Sequence, residues 1–193
     1  MTDLVNHDED KRGKQARELV GQGPAPFFGF YWPRLLRFLI TQASDSSLAE
    51  EVASETFVRA WDNWDDTILT CERPDSWLFK VAIRELRREE AKARARGILT
   101  EDPAGNVADL KNAATNDEWV AENPALTAAI RTLPRREAEV IACRLQNYTT
   151  RETAEILGVS EGTARSQLSR ATGKLRMLLN KTEKPGMARK DTV

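Results

Sequence analysis

The sequence predicts an all-α protein of two small helical domains joined by a flexible linker. Apolar residues recur at helical spacing along most of the chain, and the alternation of apolar and polar residues that is typical of strands is not found. Helix-capping patterns precede several of these stretches. Between residues 98 and 116 the apolar content falls and proline, glycine and three asparagines accumulate, which predicts a linker and places the domain boundary there.

The most informative stretch covers residues 149–179 and predicts two helices around a tight turn. Thr149 and Glu152 form a capping-box pair, and Gly158 suits the left-handed conformation that ends a helix. In the second helix, steps of four and three predict one buried stripe: Ala164, Leu168, Ala171, Leu175 and Leu178. The opposite face carries short donors and guanidinium groups that can reach base edges and phosphates: Arg165, Ser166, Ser169 and Arg170. This is the plan of a DNA-binding helix-turn-helix, and the alternative is an ordinary helical hairpin with a solvated charged face.

The first domain is predicted to cover residues 25–96 and to contain three helices. An aromatic-rich run over residues 27–42 predicts a buried helix. Ser47 and Glu50 form a second capping-box pair at the start of the next helix, whose predicted core side contains Val52, Phe57, Val58 and Trp61. After a loop, Asp75 is predicted to cap a third helix.

The loop between the second and third helices is flanked by Trp61 and contains Trp64. Aromatic faces beside a cationic surface can stack on unpaired bases. A core position is favoured for Trp61, whereas for Trp64 the core and base stacking are left about equally open.

The remaining segments complete the predicted organisation. The polar residues 1–24 predict a disordered leader, and residues 97–120 form the predicted linker. The helix-turn-helix domain is predicted over residues 121–181, followed by a disordered charged tail over residues 182–193.

Charge is segregated along a chain whose net charge is only −1. Residues 45–66 contain seven acidic residues and one basic residue, whereas residues 73–96 contain eight basic residues and four acidic ones. The basic residues include a helical stripe: Lys80, Arg84, Arg87 and Arg88. This segregation indicates two different partners, one of them a polyanion, although either block alone is equally consistent with a solvated helix face.

The composition argues against several other classes of protein. His7 is the only histidine, so a catalytic base or a zinc site built on histidine is not expected. Cys71 and Cys143 are far apart in the sequence and predict reduced thiols in the cytoplasm. Neither a membrane-spanning run nor a signal peptide is recognisable, and nothing indicates an enzyme, a catalytic residue, a cofactor or a metal.

Motifs in both domains carry a resemblance to a known family. The first domain contains Leu-Ala-Glu-Glu-Val at 48–52, Glu-Thr-Phe-Val-Arg-Ala-Trp at 55–61 and Trp-Leu-Phe-Lys-Val-Ala at 77–82. The second contains Leu-Pro-Arg-Arg-Glu at 133–137 and Gly-Thr-Ala-Arg-Ser-Gln-Leu-Ser-Arg-Ala at 162–171. In this order they resemble the bacterial extracytoplasmic-function (ECF) sigma factors, group IV of the sigma-70 family, with regions 2 and 4 as the two domains. The chain departs from the family at Arg84, where asparagine is usual, and at Thr153, where isoleucine is usual.

The resemblance implies a role in promoter-specific transcription initiation, with core RNA polymerase, promoter DNA and an anti-sigma factor as partners. For recognition of the minus-thirty-five element it implies Thr163, Arg165, Ser166, Ser169 and Arg170. For the minus-ten element and strand opening it implies Asn63, Trp64, Lys80, Arg84, Arg87 and Arg88. For docking on core polymerase it implies Glu50, Glu51, Glu55, Arg59 and Asp62.

Two rival interpretations explain only part of the chain. A free-standing helix-turn-helix regulator that binds duplex DNA as a dimer gives no role to the acidic helix or the aromatic loop. A helical adaptor that binds only proteins gives no role to the Arg and Ser face of the last helix.

Overall fold

The computed structural model describes residues 2–97 and 118–182, and every regular element in those two ranges is helical. The first range contains α1 (Thr2–Gly21), α2 (Pro24–Ile40), α3 (Ser46–Asp62), a π-helical turn (Trp64–Ile68) and α4 (Pro74–Ala95). The second contains α5 (Glu118–Glu122), α6 (Pro124–Arg131), α7 (Arg135–Leu145), α8 (Thr150–Leu157) and α9 (Glu161–Thr182). The all-α prediction is confirmed, whereas most of the predicted linker and tail lies outside the described residues.

The first domain is a bundle of α2, α3 and α4 around an aromatic-rich core. α2 contributes Phe27, Leu35 and Phe38, because apolar residues recur on one side of it, and α4 contributes Leu78 and Phe79. The rings of Phe38 and Phe79 meet edge to face with centroids 5.2 Å apart. Such pairs add specific geometry to the burial of apolar area.

The predicted disordered leader is wrong for the residues that form α1. Ala16 and Val20, four residues apart, are buried, with Leu19 packed beside them, and the helix lies against α2 and α4. The leader is polar on average, but three apolar residues at helical spacing are enough to bury one side of a helix when a bundle is present to receive it.

Two predicted helix starts are also corrected. The N-cap of α3 is Asp45, whose carboxylate accepts a 2.8 Å hydrogen bond from the Leu48 backbone N–H, so Ser47 lies inside the helix. α4 begins at Pro74, whose fixed φ suits the first turn. Asp75 is therefore not a cap; it is fully buried and forms an ion pair with Arg73 at 3.1 Å.

The two tryptophans around the loop differ in exposure, and Trp61 lies opposite to the core position that the pattern favours. Trp61 is 61% exposed, whereas Trp64 is 8% exposed and packs edge-on against Phe27 and Phe28 at centroid distances of 5.7 and 5.6 Å. α3 ends at Asp62 with Asn63 as its C-cap, and the wider π-helical turn that follows changes the angular phase and directs Trp64 inward. The predicted core position of Trp61 is therefore wrong, and so is that of Val58, which is 53% exposed.

The helix-turn-helix is formed by α8 and α9 and is supported by α6 and α7. Both halves of the predicted capping box are present, and Gly158 has φ 68° at the end of α8. Ala164, Ala171 and Leu175 are buried as predicted. Leu178 is exposed, and its neighbour Leu179 packs against the core, because the stripe drifts around a straight helix as it lengthens.

The two domains are in direct contact, although the sequence predicts them as separate units. α4 packs against α8, and the core of the first domain continues into apolar residues of α7 and α8. Phe79 of α4 and Tyr148, just before α8, meet with ring centroids 5.2 Å apart. The apolar face of α4 therefore serves both domains.

Candidate nucleic-acid interface

The outward face of α9 presents all five of its predicted DNA-contacting side chains to solvent: Thr163, Arg165, Ser166, Ser169 and Arg170. Ser160 caps the helix by accepting a 3.1 Å hydrogen bond from the Thr163 backbone N–H. Arg165 forms an exposed ion pair with Glu161 at 2.6 Å. Exposed pairs of this kind contribute only about 0.3–0.5 kcal/mol, so the guanidinium is readily exchanged for a base edge or a phosphate.

The position of α9 is set by close packing on its inner side. Ala164 and Ala171 are fully buried, and their small side chains let the helix approach α7 and α8 closely. Lys174 adds a 2.8 Å ion pair to Glu137 of α7. The inner contacts fix the helix, so the outer side chains are presented on a rigid element.

The four cations of α4 do not form one free stripe. Lys80 and Arg84 are exposed, and neither has a carboxylate partner among the described residues. Arg88 is exposed and pairs with Glu85 at 3.1 Å. Arg87 instead binds Glu139 of α7 through hydrogen bonds of 2.8 to 3.1 Å. In this conformation a nucleic acid can reach Lys80 and Arg84 directly, whereas Arg87 is already occupied.

The loop before α4 differs from its prediction in one important respect. Asn63 is exposed, and its side-chain amide donates to the Arg59 carbonyl at 2.8 Å, so it caps α3. Trp64 lies in the core between two phenylalanine rings, where stacking on an unpaired base is not open to it. The exposed side chains of this loop are polar or aliphatic, among them Asp65, Asp66 and Leu69.

The outer surface of α3 carries the predicted acidic residues. Glu50, Glu51 and Asp62 are exposed. Glu55 and Arg59 are partly exposed and pair with each other at 3.1 Å, and Arg59 also reaches Glu85 of α4 at 3.3 Å. Arg59 therefore links α3 to α4 and leaves the outer surface of α3 predominantly negative.

An exposed apolar patch lies on the same surface of α3 and was missed by the sequence analysis. Trp32, Val58 and Trp61 are exposed, and with Phe28 and Phe57 they line a shallow cleft of about 300 Å³. At about 100° per residue, Val58 and Trp61 lie well away from the buried Ala49, Val52 and Ala60 side, so a helical projection of the sequence could have found the patch. An apolar centre with a charged rim is typical of a protein-docking surface.

Comparisons with known proteins match both helical domains of the chain to one family. The family model described as Sigma-70 region 2 matches residues 28–96, and the model described as Sigma-70, region 4 matches residues 124–175. The RNA polymerase sigma-E factor of Streptomyces avermitilis is 31% identical over 143 residues, which cover 74% of this chain and 76% of that protein. The ECF RNA polymerase sigma factor SigL of Mycobacterium tuberculosis is 29% identical over 150 residues, which cover 75% of this chain and 82% of that protein.

Two solved structures share the fold. The sigma factor RpoE in complex with the anti-sigma factor NepR from Bartonella quintana has a TM-score of 0.62 at 22% identity, covering 79% of this chain and 94% of that chain. CnrH in complex with the cytosolic domain of CnrY has a TM-score of 0.57 at 20% identity, covering 88% of this chain and 96% of that chain. In the described ranges, no helix has the length and apolar character needed to span a membrane.

Proposed function

Because this chain belongs to the ECF sigma factors of the sigma-70 family, we propose that it docks on core RNA polymerase through the outer surface of α3 and recognises promoters through α9. The observation that carries the proposal is the presence of two unlike surfaces on one chain. One combines acidic residues with exposed tryptophans, and the other presents arginine and serine on a rigid helix. A DNA-binding regulator needs only the second surface, and a protein adaptor needs only the first.

On α9 we assign the upstream promoter element to the major-groove side chains Thr163, Arg165, Ser166, Ser169 and Arg170. A guanidinium can form a bidentate contact with a guanine edge, and the hydroxyls can bond to either bases or phosphates. The capped helix N-terminus also favours a nearby phosphate.

In the first domain we assign contacts with the opening strands to Asn63, Lys80, Arg84 and Arg88, with Arg87 joining them once it is released from Glu139. Phosphate contacts position a nucleic acid without selecting its sequence. Trp64 supports this surface from inside the core, so its part is structural in this proposal.

Docking on core polymerase is assigned to the rim Glu50, Glu51, Glu55 and Asp62, and we add Val58 and Trp61 as its apolar centre. Burial of tryptophan at the centre of an interface usually dominates its affinity, while rim charges mainly raise the association rate. We further propose that an anti-sigma factor controls the chain in the cytoplasm, because the two similar solved structures are complexes of sigma factors with such proteins.

The proposal is tested by run-off transcription with purified core polymerase on a promoter library. The full chain is expected to direct initiation from a subset of promoters that share an upstream element. Strong, salt-sensitive duplex binding by the chain alone without any transcription would favour a free-standing regulator. Absence of DNA binding even with polymerase would favour a protein-only adaptor.

The docking surface is tested by the double variant Glu51→Lys/Glu55→Lys. It is expected to abolish association with core polymerase and to leave the helical content unchanged, because both side chains lie on the outer surface of α3. Glu18→Lys/Glu122→Lys reverses two exposed acids elsewhere and is the matched control. Binding of the α3 variant as tight as that of the control would show that the surface has been assigned wrongly.

A further inference from the structure

A cavity of about 680 Å³ lies apart from the surfaces assigned to polymerase and promoter. Its walls come from α1, α2, α4, α9 and the turn between α7 and α8. Pockets that bind small molecules typically have volumes of about 300–1,000 Å³. The contacts proposed above with polymerase and DNA use none of the side chains that line this cavity, so its presence has no explanation in them.

The lining of the cavity is cationic, and the described residues that line it include no aspartate or glutamate. Its cations are Lys11, Arg12, Arg34 and Arg144. Arg12 forms an ion pair with Glu152, whereas the other three have no carboxylate partner in the part of the chain that the structure describes. Three uncompensated positive charges therefore line one cavity.

Arg34 is half-buried, which makes its unpaired charge informative. Its guanidinium donates a 2.8 Å hydrogen bond to the Phe30 carbonyl and lies over the Phe30 ring, 3.6 Å from the centroid. Burial lowers the pKa of Arg34 below its usual value, because the charged form loses contact with water. A cation removed from water without a counter-charge is unfavourable, and a bound anion offsets that cost.

The guanidinium of Arg12 leaves one donor unused. Its two terminal nitrogens bind the Asn147 carbonyl and the Glu152 carboxylate, whereas its Nε is buried and has no hydrogen-bond partner among the described residues. Asn147 adopts a left-handed backbone conformation with φ 63°, which asparagine tolerates better than most residues. Buried donors without a partner are rare in folded proteins, and an ion or water held beside the side chain is an ordinary reason for one.

The cavity has an aromatic floor and a charged mouth. Tyr31, Phe79 and Tyr148 line it and are at most 4% exposed, whereas Lys11 and Arg144 are exposed. Arg144 donates a 3.2 Å hydrogen bond to the Tyr148 carbonyl, which places the mouth directly above the floor. Amide side chains also line the cavity: Gln15, Gln146 and Asn147. An inorganic anion would contact the cations and leave the aromatic floor unused, so the lining fits a ligand with both an anionic and a ring-shaped part.

We propose that this cavity binds a small phosphorylated molecule of nucleotide size, with its phosphates on Lys11, Arg34 and Arg144 and its ring system toward the aromatic floor. Arginine forms bidentate hydrogen bonds with phosphate oxygens, and the lysine ammonium adds a point charge on a flexible stem. Three cations around one cavity suit a ligand with several negative charges, as a nucleoside di- or triphosphate has. The site rests on the cavity and its charges and does not depend on the proposed function.

The site is tested by isothermal titration calorimetry of the full chain with ATP, inorganic pyrophosphate and adenosine, in the absence of divalent metal ions and at about 0.15 M salt. ATP is expected to bind, and pyrophosphate to bind at least about tenfold more weakly, because it leaves the floor unoccupied. Adenosine is expected to give no measurable binding, because it carries no charge for the cations.

Two cavity variants and one matched control assign the binding to these residues. Lys11→Gln/Arg144→Gln removes two exposed cations and is expected to weaken ATP binding by about tenfold or more without changing the helical circular dichroism. Arg34→Gln is expected to weaken it similarly. Arg17→Gln/Arg176→Gln removes the same charge from exposed positions outside the cavity and is expected to keep the parent affinity.

The outcomes separate a built site from general surface charge. Absence of ATP binding, or equal weakening in the control variant, would overturn the site. Pyrophosphate binding as tight as that of ATP would overturn the assignment to a nucleotide-sized ligand. Displacement of ATP by a mixed-sequence DNA duplex that itself binds Lys11→Gln/Arg144→Gln weakly would assign these cations to DNA instead. ATP binding that only the cavity variants weaken, in a chain that never supports transcription, would support the site and refute the proposed function.

Discussion

Exchanging each of the two neighbouring tryptophans for alanine should produce opposite effects. Trp64 is 8% exposed and packs against Phe27 and Phe28, so Trp64→Ala leaves a cavity in the first domain. The expected loss is about 3–5 kcal/mol in the free energy of unfolding. For a chain of this size that corresponds to a lower midpoint of thermal unfolding by roughly 6–20 °C.

Trp61→Ala should instead change stability little and docking strongly. The side chain is 61% exposed, so its removal is expected to alter the free energy of unfolding by less than about 1 kcal/mol. A central interface tryptophan typically contributes about 2 kcal/mol or more, so the affinity for core polymerase should fall by about thirtyfold or more.

Both quantities are measured on the same protein samples. Helical circular dichroism followed through urea gives stability, and titration of labelled core polymerase gives affinity. Trp64→Phe retains an apolar ring and is expected to recover most of the stability lost in Trp64→Ala. A Trp61→Ala protein as unstable as Trp64→Ala would refute the burial argument, and one that binds polymerase like the parent would remove Trp61 from the docking surface.

Three further predictions concern separate parts of the molecule. Arg165→Ala should weaken recognition of the upstream element by about 1–3 kcal/mol, measured by binding to matched and altered promoters; an equal loss on all sequences would make it a phosphate contact instead. Gly158→Ala should lower the free energy of unfolding by about 1–2 kcal/mol, because a φ of 68° is strained for any residue with a Cβ. Urea denaturation measures this loss, and a curve identical to that of the parent would contradict the prediction. One thiol should react with a chromogenic disulfide in the native chain and two after denaturation. Cys143 is buried and its pKa is raised by burial and by Glu139, whereas Cys71 is partly exposed. Fast reaction of both thiols in the native chain would argue against the packing of α7.

Local interactions made the helix-turn-helix predictable. The capping box joins Thr149 and Glu152, three residues apart, and the turn depends on the conformational freedom of Gly158. Side chains on one helix share a face at spacings of three and four, so the buried Ala164 and Ala171 and the exposed Arg165 also follow from the pattern. Each of these determinants lies within about two helical turns of its partner, which is a range over which sequence patterns act directly.

Sequence patterns were less informative where a small backbone change has a large geometric effect. Trp61 and Trp64 are three residues apart and would lie near each other on a continuous α-helix. The end of α3 at Asp62 and the π-helical turn after it break that phase, which leaves one ring in solvent and the other in the core. The break depends on how the loop packs against α2, and the periodicity of the sequence does not predict that packing.

The sequence by itself therefore determined the helical class, the family and the surface of α9, because these depend on spacing and residue type. The tertiary structure alone decided that α1 joins the first bundle, that Arg87 meets Glu139 across 52 positions of sequence, and that Glu152 receives its cations from the other domain. A charged residue on a helix face has the same local pattern whether its partner is water, DNA or a carboxylate from a distant segment. Only the packing of the two domains selects among these partners, because ion pairs form between groups that the fold brings within a few ångströms of each other.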